Sequence, residues 1–177
     1  MPARDLSSQR SASTSTGTRR SNLHVVLVRP EIHWNTGNTG RSCLAAGAQL
    51  HLVGPLGFSL SDRRVRRAGL DYWKRVAPEI WPDWAHFEAA LSHLGEAFFF
   101  SPEAPRDLWS VSYPESTVLV FGSETKGLSA DLRKRYASRL IRLPMQDPEL
   151  RSLNLSTSVG ITLYEVLRQR SVRSTET

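Results

Sequence analysis

The feature that most constrains the fold of this chain is a set of five short, mainly apolar runs without polar alternation. They occupy residues 24–28, 50–53, 97–100, 118–121 and 140–143. Runs of this length are typical of strands that are buried on both faces, as in parallel sheets covered by helices. Together with the helical segments between them, they predict an α/β domain with a largely parallel sheet flanked by helices.

The segments between these runs predict the flanking helices. Residues 39–46 form a short predicted helix that ends at Gly47, whose missing Cβ suits a left-handed C-cap. Pro82 and Asp83 start another helix, whose apolar residues fall on one face. Further helices are predicted at residues 63–68, 129–137 and 155–168, and a strand at residues 72–76. Because ligands bind at the carboxyl ends of parallel strands, we expect the functional site in the loops that follow these ends.

The length of 177 residues fits one domain with a sizeable core, which we assign to residues 23–172. Residues 1–22 are rich in Ser, Thr and Arg and are predicted to form a disordered basic tail. The single cysteine, Cys43, excludes an intrachain disulfide and is expected to be buried. No apolar run reaches the roughly 20 residues that span a bilayer. The prediction is therefore a cytoplasmic protein that does not enter a membrane.

The formal net charge of +6 favours an anionic partner, because such a field concentrates polyanions near the protein. Basic residues cluster within residues 63–75 and within residues 133–139. A solvated helix face has the same composition. Charge alone therefore leaves RNA binding and an ordinary surface both open.

The first motif, residues 31–41, follows the first apolar run. Asn35, Asn38 and Arg41, together with two glycines, offer side-chain amides, exposed backbone N–H groups and one cation between a strand and a helix. These groups suit the binding of phosphate or ribose. Taken alone, the same residues are also ordinary turn and helix-start chemistry.

The second motif, residues 121–128, lies between a predicted strand and a predicted helix. Its glycines allow the backbone to approach a ligand closely, and Glu124 and Lys126 present opposite charges beside that backbone. The spacing of Gly122 and Gly127, without a Lys-Ser/Thr pair, argues against a nucleoside triphosphate loop. The alternative is a tight connection with solvated charges.

The third motif, residues 143–156, combines apolar side chains with two prolines that release backbone groups from regular structure. Such a lining can hold a flat adenine ring and read its edge through main-chain hydrogen bonds. Asn154 and Ser156 are also suited to cap the following helix, which is the alternative function of both.

In this order and on these elements, the motifs resemble those of the SPOUT 2′-O-ribose methyltransferases. They read Asn-x-Gly-Asn-x-x-Arg, Phe-Gly-Ser-Glu-Thr-Lys-Gly-Leu and Leu-Pro-Met…Arg-Ser-Leu-Asn-Leu-Ser, and the resemblance covers residues 23–169. Within the superfamily, the chain is most similar to the small bacterial enzymes that methylate the wobble nucleotide, cytidine or uridine, of leucine tRNAs. The basic segment 66–72 also resembles that subgroup.

The resemblance implies a C-terminal trefoil knot, S-adenosyl-L-methionine as methyl donor, no metal ion, tRNA as partner, and a homodimer whose active site is shared between subunits. The implied cofactor-binding residues are Phe100, Gly122, Leu143, Ser152 and Leu153. The implied catalytic residues are Arg41, Asn35, Glu124 and Asn154. Arg41 would face the cofactor of the partner. Because a guanidinium keeps its proton beyond pH 12, we expect it to orient phosphate and stabilise a developing alkoxide rather than to act as a base.

The chain departs from the pattern at two places. It has His33-Trp34 where relatives often have two prolines, and its third motif is one residue longer between Pro144 and Asn154. Three alternatives remain open. They are 2′-O-methylation of another tRNA position or of rRNA, a non-catalytic RNA-binding protein on the same fold, and a plain nucleotide-binding α/β domain.

Overall fold

A computed structural model describes residues 21–59 and 72–175 of the chain. In these residues, seven strands form one sheet in the order β3-β2-β1-β6-β4-β7-β5, and every paired strand is parallel to its neighbour. The strands are β1 (Leu23–Val28), β2 (Gln49–Val53), β3 (Glu79–Trp81), β4 (Glu96–Phe100), β5 (Arg106–Asp107), β6 (Thr117–Phe121) and β7 (Leu140–Arg142). The helices are α1 (His33–Ala46), α2 (Trp73–Val76), α3 (Trp84–Leu94), α4 (Ala130–Arg135) and α5 (Leu155–Thr175), with 3₁₀ turns at Leu108–Ser110 and Ala137–Arg139.

Strand β1 lies at the centre of the sheet and is buried along its whole length. Val25 and Leu27 contribute to one hydrophobic cluster, which also holds apolar residues of α1 and α5. Val26 and Val28 contribute to the opposite cluster, which holds residues of α3 and α4. Helices therefore cover both faces, and the predicted α/β architecture with a parallel sheet flanked by helices is confirmed. Cys43 lies fully buried in the first cluster, as expected.

The sequence did not predict the two short edge strands β3 and β5. Strand β3 has only three residues, two of them exposed, and β5 is a pair of charged residues. Neither offers a buried apolar run, because most side chains of these edge residues are exposed. The five strands predicted from the apolar runs are all present.

One predicted helix starts too late and one predicted strand was wrong. Helix α1 ends at Ala46 with Gly47 as its left-handed C-cap, as predicted, but it begins at His33 rather than at residue 39, so the first motif is largely helical instead of forming a loop. Residues 73–76 form helix α2 rather than a strand. Here packing overrides the strand preference of aromatic residues: a Cβ on Gly40 of α1 would lie 2.9 Å from the ring of Trp73 and 3.2 Å from Val76.

Helices α3, α4 and α5 lie where the sequence predicts them. Asp83 caps α3 by accepting a hydrogen bond from the backbone of His86 at 3.0 Å, and Ser129 caps α4 through the backbone of Leu132 at 3.3 Å. Helix α5 runs to Thr175, seven residues beyond its predicted end. The basic helix predicted at residues 63–68 lies outside the described residues. None of the helices that the structure describes is both long and apolar enough to cross a membrane.

Candidate active site

A cavity of about 470 Å³ opens at the carboxyl edge of the sheet, beside the ends of β4 and β6 and the start of the segment after β7. All strands are parallel, so their carboxyl ends meet at this edge. The walls come from the first turn of α1, the loop after β4, the second motif, helix α4 and the third motif. The three motifs recognised in the sequence thus converge on one cavity.

The inner wall of the cavity is apolar. The rings of Phe100 and Phe121 stack at a centroid distance of 4.5 Å and an interplanar angle of 10°, and Leu128, Leu143 and Leu153 line the same space. Flat apolar surfaces next to free backbone groups are the usual environment of a bound purine ring. This wall suits the adenine of a nucleoside cofactor.

The second motif forms a tight loop that only glycine at position 122 allows. Gly127 has a positive φ of 63°, and Ser123 and Gly127 exchange backbone hydrogen bonds of 3.2 and 2.9 Å. A Cβ on Gly122 would lie 2.0 Å from the carbonyl carbon of Gly127, a distance that no packing tolerates. The loop therefore folds back on itself and brings Ser123, Glu124 and Lys126 to the cavity.

A chain of hydrogen bonds connects the three motifs at the rim of the cavity. The carboxylate of Glu124 accepts hydrogen bonds from the backbone N–H of Glu31 at 2.7 Å, from that of Ile32 at 3.2 Å, and from Asn35 Nδ2 at 3.0 Å. The side-chain oxygen of Asn35 in turn accepts from Asn154 Nδ2 at 2.9 Å. We call Glu124, Asn35 and Asn154 the rim network.

Asn154 both caps helix α5 and hydrogen-bonds to Asn35 of the first motif. Its Oδ1 accepts hydrogen bonds from the backbone N–H groups of Ser156 at 2.9 Å and Thr157 at 3.4 Å, which caps the start of α5. Its amide nitrogen remains available to Asn35. Because a carboxylate only accepts hydrogen bonds, Glu124 fixes which end of the Asn35 amide points to which partner.

Charged side chains stand at the margin of the cavity. Lys126, Arg133 and Glu103 line it, and Arg133 forms an ion pair with Glu103 across the opening. From the sequence, Arg133 was predicted only as part of a basic cluster, and Glu103 was not predicted at all. Glu103 follows the end of the buried strand β4 by three residues, and this position could have indicated it, because ligand-binding residues lie beyond the carboxyl ends of parallel strands.

Eight of the nine predicted site residues line this cavity, and Arg41 does not. Arg41 lies on the exposed face of α1, on the same stripe as exposed Trp34 and Asn38. Its guanidinium carbon sits 5.7 Å from the centroid of the Tyr72 ring, within the range of a cation–π contact. Within one chain, the structure therefore separates Arg41 from the cavity.

The cavity has the properties of a nucleoside cofactor site. Its volume falls in the range of small-molecule pockets, its inner wall is apolar, and Glu103, Lys126 and Arg133 give its margin both signs of charge, as an amino-acid zwitterion requires. Among residues 21–59 and 72–175, no group of three or more His, Cys, Asp or Glu side chains is arranged to hold a metal ion.

Known proteins resemble this chain over most of its length. The SpoU rRNA methylase family matches residues 22–164. A tRNA (cytidine(34)-2′-O)-methyltransferase of Burkholderia cenocepacia is 44% identical over 149 residues, which cover 83% of this chain and 95% of the relative.

Solved structures agree with this assignment. A structure from work on 2′-OH methylation of C/U34 on tRNA superposes with a TM-score of 0.79 at 40% identity and covers 84% of this chain and 96% of that chain. An rRNA methyltransferase from Sinorhizobium meliloti with bound S-adenosylmethionine superposes with a TM-score of 0.70 at 29% identity, over 82% of this chain and 56% of that chain.

Proposed function

The chain belongs to the SpoU rRNA methylase family and is a methyltransferase, and from this premise we propose that it methylates the ribose 2′-hydroxyl of the wobble nucleotide, position 34, of tRNA. One observation carries the proposal: the cavity at the carboxyl edge of the sheet gathers residues of all three motifs, with the rim network beside an apolar slot. The substrates named for the similar proteins give the position on the RNA.

S-adenosyl-L-methionine is the proposed methyl donor, and no metal ion is proposed. The S. meliloti relative was solved with this cofactor, and the cavity fits its parts. Phe100, Gly122, Leu143, Ser152 and Leu153 would hold it, with the adenine in the apolar slot. When bound, the cofactor supplies an electrophilic methyl group on a sulfonium.

The protein then has to align the ribose hydroxyl and help it to lose a proton. The ribose oxygen forms a bond to the methyl carbon as the carbon–sulfur bond breaks in line with it, and the hydroxyl proton leaves to solvent or to a basic group. Asn35, Glu124 and Asn154 are proposed to organise this arrangement. Each carboxylate oxygen of Glu124 already accepts a hydrogen bond, which favours a positioning role over a role as general base.

Arg41 is proposed to act on the cavity of a second subunit. It is exposed and lies outside the cavity of its own chain, so a homodimer would let it reach a bound RNA at the partner's site. There its guanidinium would orient a phosphate and stabilise the alkoxide as it forms. A C-terminal trefoil knot, leucine tRNAs as substrates and a cytoplasmic location belong to the same proposal.

We assign the methyltransferase domain to residues 23–172 and a basic tail to residues 1–22. Ser21 and Asn22, the last residues of that tail, make hydrogen bonds to the domain. Asn22 accepts one from the backbone of Thr117 at 2.9 Å, and Ser21 donates one to the carbonyl of Gly47 at 2.8 Å. These two residues therefore contact the domain.

The test is transfer of a labelled methyl group from S-adenosylmethionine to unmodified tRNA, followed by mapping of the labelled nucleotide. Label at the 2′-oxygen of nucleotide 34 supports the proposal. Label at another tRNA position, or on rRNA only, would contradict the proposed substrate and support methylation of that other position instead. RNA binding without any transfer supports a non-catalytic RNA-binding protein instead.

A further inference from the structure

Thr125 connects all three motifs although it does not line the cavity. Its hydroxyl donates to the carboxylate of Glu31, with distances of 2.8 and 2.7 Å from Thr125 Oγ1 to the two oxygens. Its backbone N–H points to the same carboxylate at 3.3 Å. Its carbonyl accepts a hydrogen bond from the guanidinium of Arg151. Neither Glu31 nor Thr125 is among the cavity-lining residues.

The contact between Glu31 and Thr125 mirrors the one made by Glu124. The side chain of Glu124 binds the backbone of residues 31 and 32, and the side chain of Glu31 binds the backbone and hydroxyl of Thr125. Two crossed ties thus join the same pair of segments. One tie alone would leave a hinge, whereas two crossed ties fix the relative rotation of the segments.

The electrostatics favour this tie at neutral pH. The hydrogen bonds from Thr125 hold the pKa of Glu31 below its usual value, and nearby Lys126 acts in the same direction. Glu31 is therefore charged, and its hydrogen bonds belong to the stronger, charge-assisted class. Arg151 adds a third contact, a hydrogen bond from its guanidinium in the third motif to the carbonyl of Thr125.

We propose that Glu31, Thr125 and Arg151 form a clamp, centred on Thr125 behind the cavity wall, that positions the walls and keeps Asn35 and Glu124 in their catalytic arrangement. The inference rests on the proposed function. Glu31 and Thr125 are positioning residues because they do not line the cavity, and Arg151, which does line it, contributes to the clamp through its hydrogen bond to the Thr125 carbonyl. Loss of the clamp should therefore lower cofactor affinity and turnover without removing any group that touches the reacting atoms.

The experiment compares Thr125→Val with Thr125→Ser in the full chain. Valine keeps the shape but loses the hydroxyl donor, whereas serine keeps the donor. Binding of S-adenosylhomocysteine, the demethylated product, is measured by calorimetry, and kcat and KM for tRNA by methyl transfer. We expect Thr125→Val to weaken product binding about 3-fold to 10-fold and to lower kcat about 10-fold. We expect Thr125→Ser to stay within about 2-fold of the wild type and KM for tRNA to stay unchanged.

A double-mutant cycle with Glu31→Gln separates a clamp from general destabilisation. If the two residues act through their mutual contact, the double variant is about as impaired as Thr125→Val alone. Independent, additive losses would overturn the proposal, as would wild-type product binding and kcat in Thr125→Val, or equal losses in Thr125→Ser. These results are distinct from failure of the proposed function, in which the wild-type protein itself would not transfer methyl to tRNA.

Discussion

A polar cluster in the interior and a polar network at the cavity differ in the elements that they join. In the interior, His24 and His51 are buried between the strands and α3, and their ring nitrogens are 3.0 Å apart. Trp81 Nε1 donates to His51 Nδ1 at 3.1 Å, so neutral His51 carries its proton on Nε2 and donates it to His24. We call these three residues the core cluster.

The rim network differs from the core cluster in how its members are separated along the chain. Glu124 binds residues of the first motif about ninety positions away, and Asn154 binds Asn35 across 119 positions. The core cluster joins adjacent strands of the sheet, whereas the rim network joins the first turn of helix α1 to the second and third motifs around an open cavity. We therefore expect the polar groups of the core to contribute to stability and those at the carboxyl edge to contribute to the proposed site.

The largest effect is expected for Arg41→Ala, which should lower turnover by about 100-fold or more. Arg41 lies outside the cavity of its own chain and is proposed to contact the RNA rather than the cofactor at the partner's site, so binding of S-adenosylhomocysteine should stay within about 2-fold of the wild type. Single-turnover kinetics and calorimetry measure both quantities. Arg106→Ala, on edge strand β5, is the control and should leave kcat unchanged. Full activity of Arg41→Ala would remove Arg41 from the mechanism.

A smaller loss of turnover, about 30-fold, is expected for Glu124→Gln. The glutamine amide would turn a donor toward the donors of Glu31, Ile32 or Asn35, which the carboxylate now accepts. The control is Glu88→Gln, which removes a carboxylate paired with Arg135 away from the cavity. If both variants had the same kcat, Glu124 would contribute no more to turnover than a carboxylate away from the cavity, which would contradict its role in the rim network.

The core cluster should respond in stability instead of activity. His51→Leu leaves Trp81 Nε1 and His24 without their partner, and we expect the free energy of unfolding to fall by about 2 kcal/mol. Urea titration measures this loss. Binding of S-adenosylhomocysteine by the folded variant should not change. A variant with wild-type stability and weakened product binding would reverse the roles assigned to the two clusters.

Acid should weaken the protein through the same cluster. Burial lowers the pKa of His51 to about 3, and the neighbouring His24 adds to the shift; burial also lowers the pKa of His24. The Glu79 carboxylate, 3.5 Å from His51 Nδ1, is the acidic group facing the pair. Because the unfolded histidines bind protons below about pH 6.5, stability is fully present above that pH and is lost as the pH falls toward 3.

Between pH 7 and pH 5 we expect the free energy of unfolding to decrease by about 1–2 kcal/mol. Urea titrations at both pH values measure the difference, and His51→Leu should show a smaller one. Equal pH dependence in the variant and the wild type would assign the effect to other groups.

The smallest effects are expected at the N-terminal end. Deleting residues 1–20 should leave the melting temperature unchanged. Deleting residues 1–22 should lower the free energy of unfolding by about 1 kcal/mol, because Asn22 accepts a hydrogen bond from Thr117. A large loss on the shorter deletion would show that the tail contributes to the fold.

The sequence predicted the buried strands well because burial on both faces leaves a continuous apolar run. It missed the first six residues of α1, 33–38, whose Asn, Thr and Gly residues match turn chemistry but lie in a helix that contacts α2 and α5. It also failed for residues 72–76, where packing on Gly40 decides the conformation. Local preference carries no information about such contacts.

Eight of the cavity-lining residues were predicted through the order of the three motifs, yet their hydrogen-bond partners were not. No sequence pattern pairs Glu31 with Thr125, since the two residues are 94 positions apart. The same limit applies to Arg41, which the motif places beside the other proposed catalytic residues although it lies on an exposed face of α1. Spacing along the chain predicts faces of one element, and contacts between elements require the folded structure.

The most direct test of the proposed activity uses two tRNAs that differ by one oxygen. One carries an ordinary ribose at nucleotide 34 and the other a 2′-deoxyribose there, with all other nucleotides identical. The proposed reaction predicts one methyl group transferred to each molecule of the first tRNA and none to the second. Equal methylation of both tRNAs would contradict transfer to the 2′-hydroxyl of the wobble nucleotide.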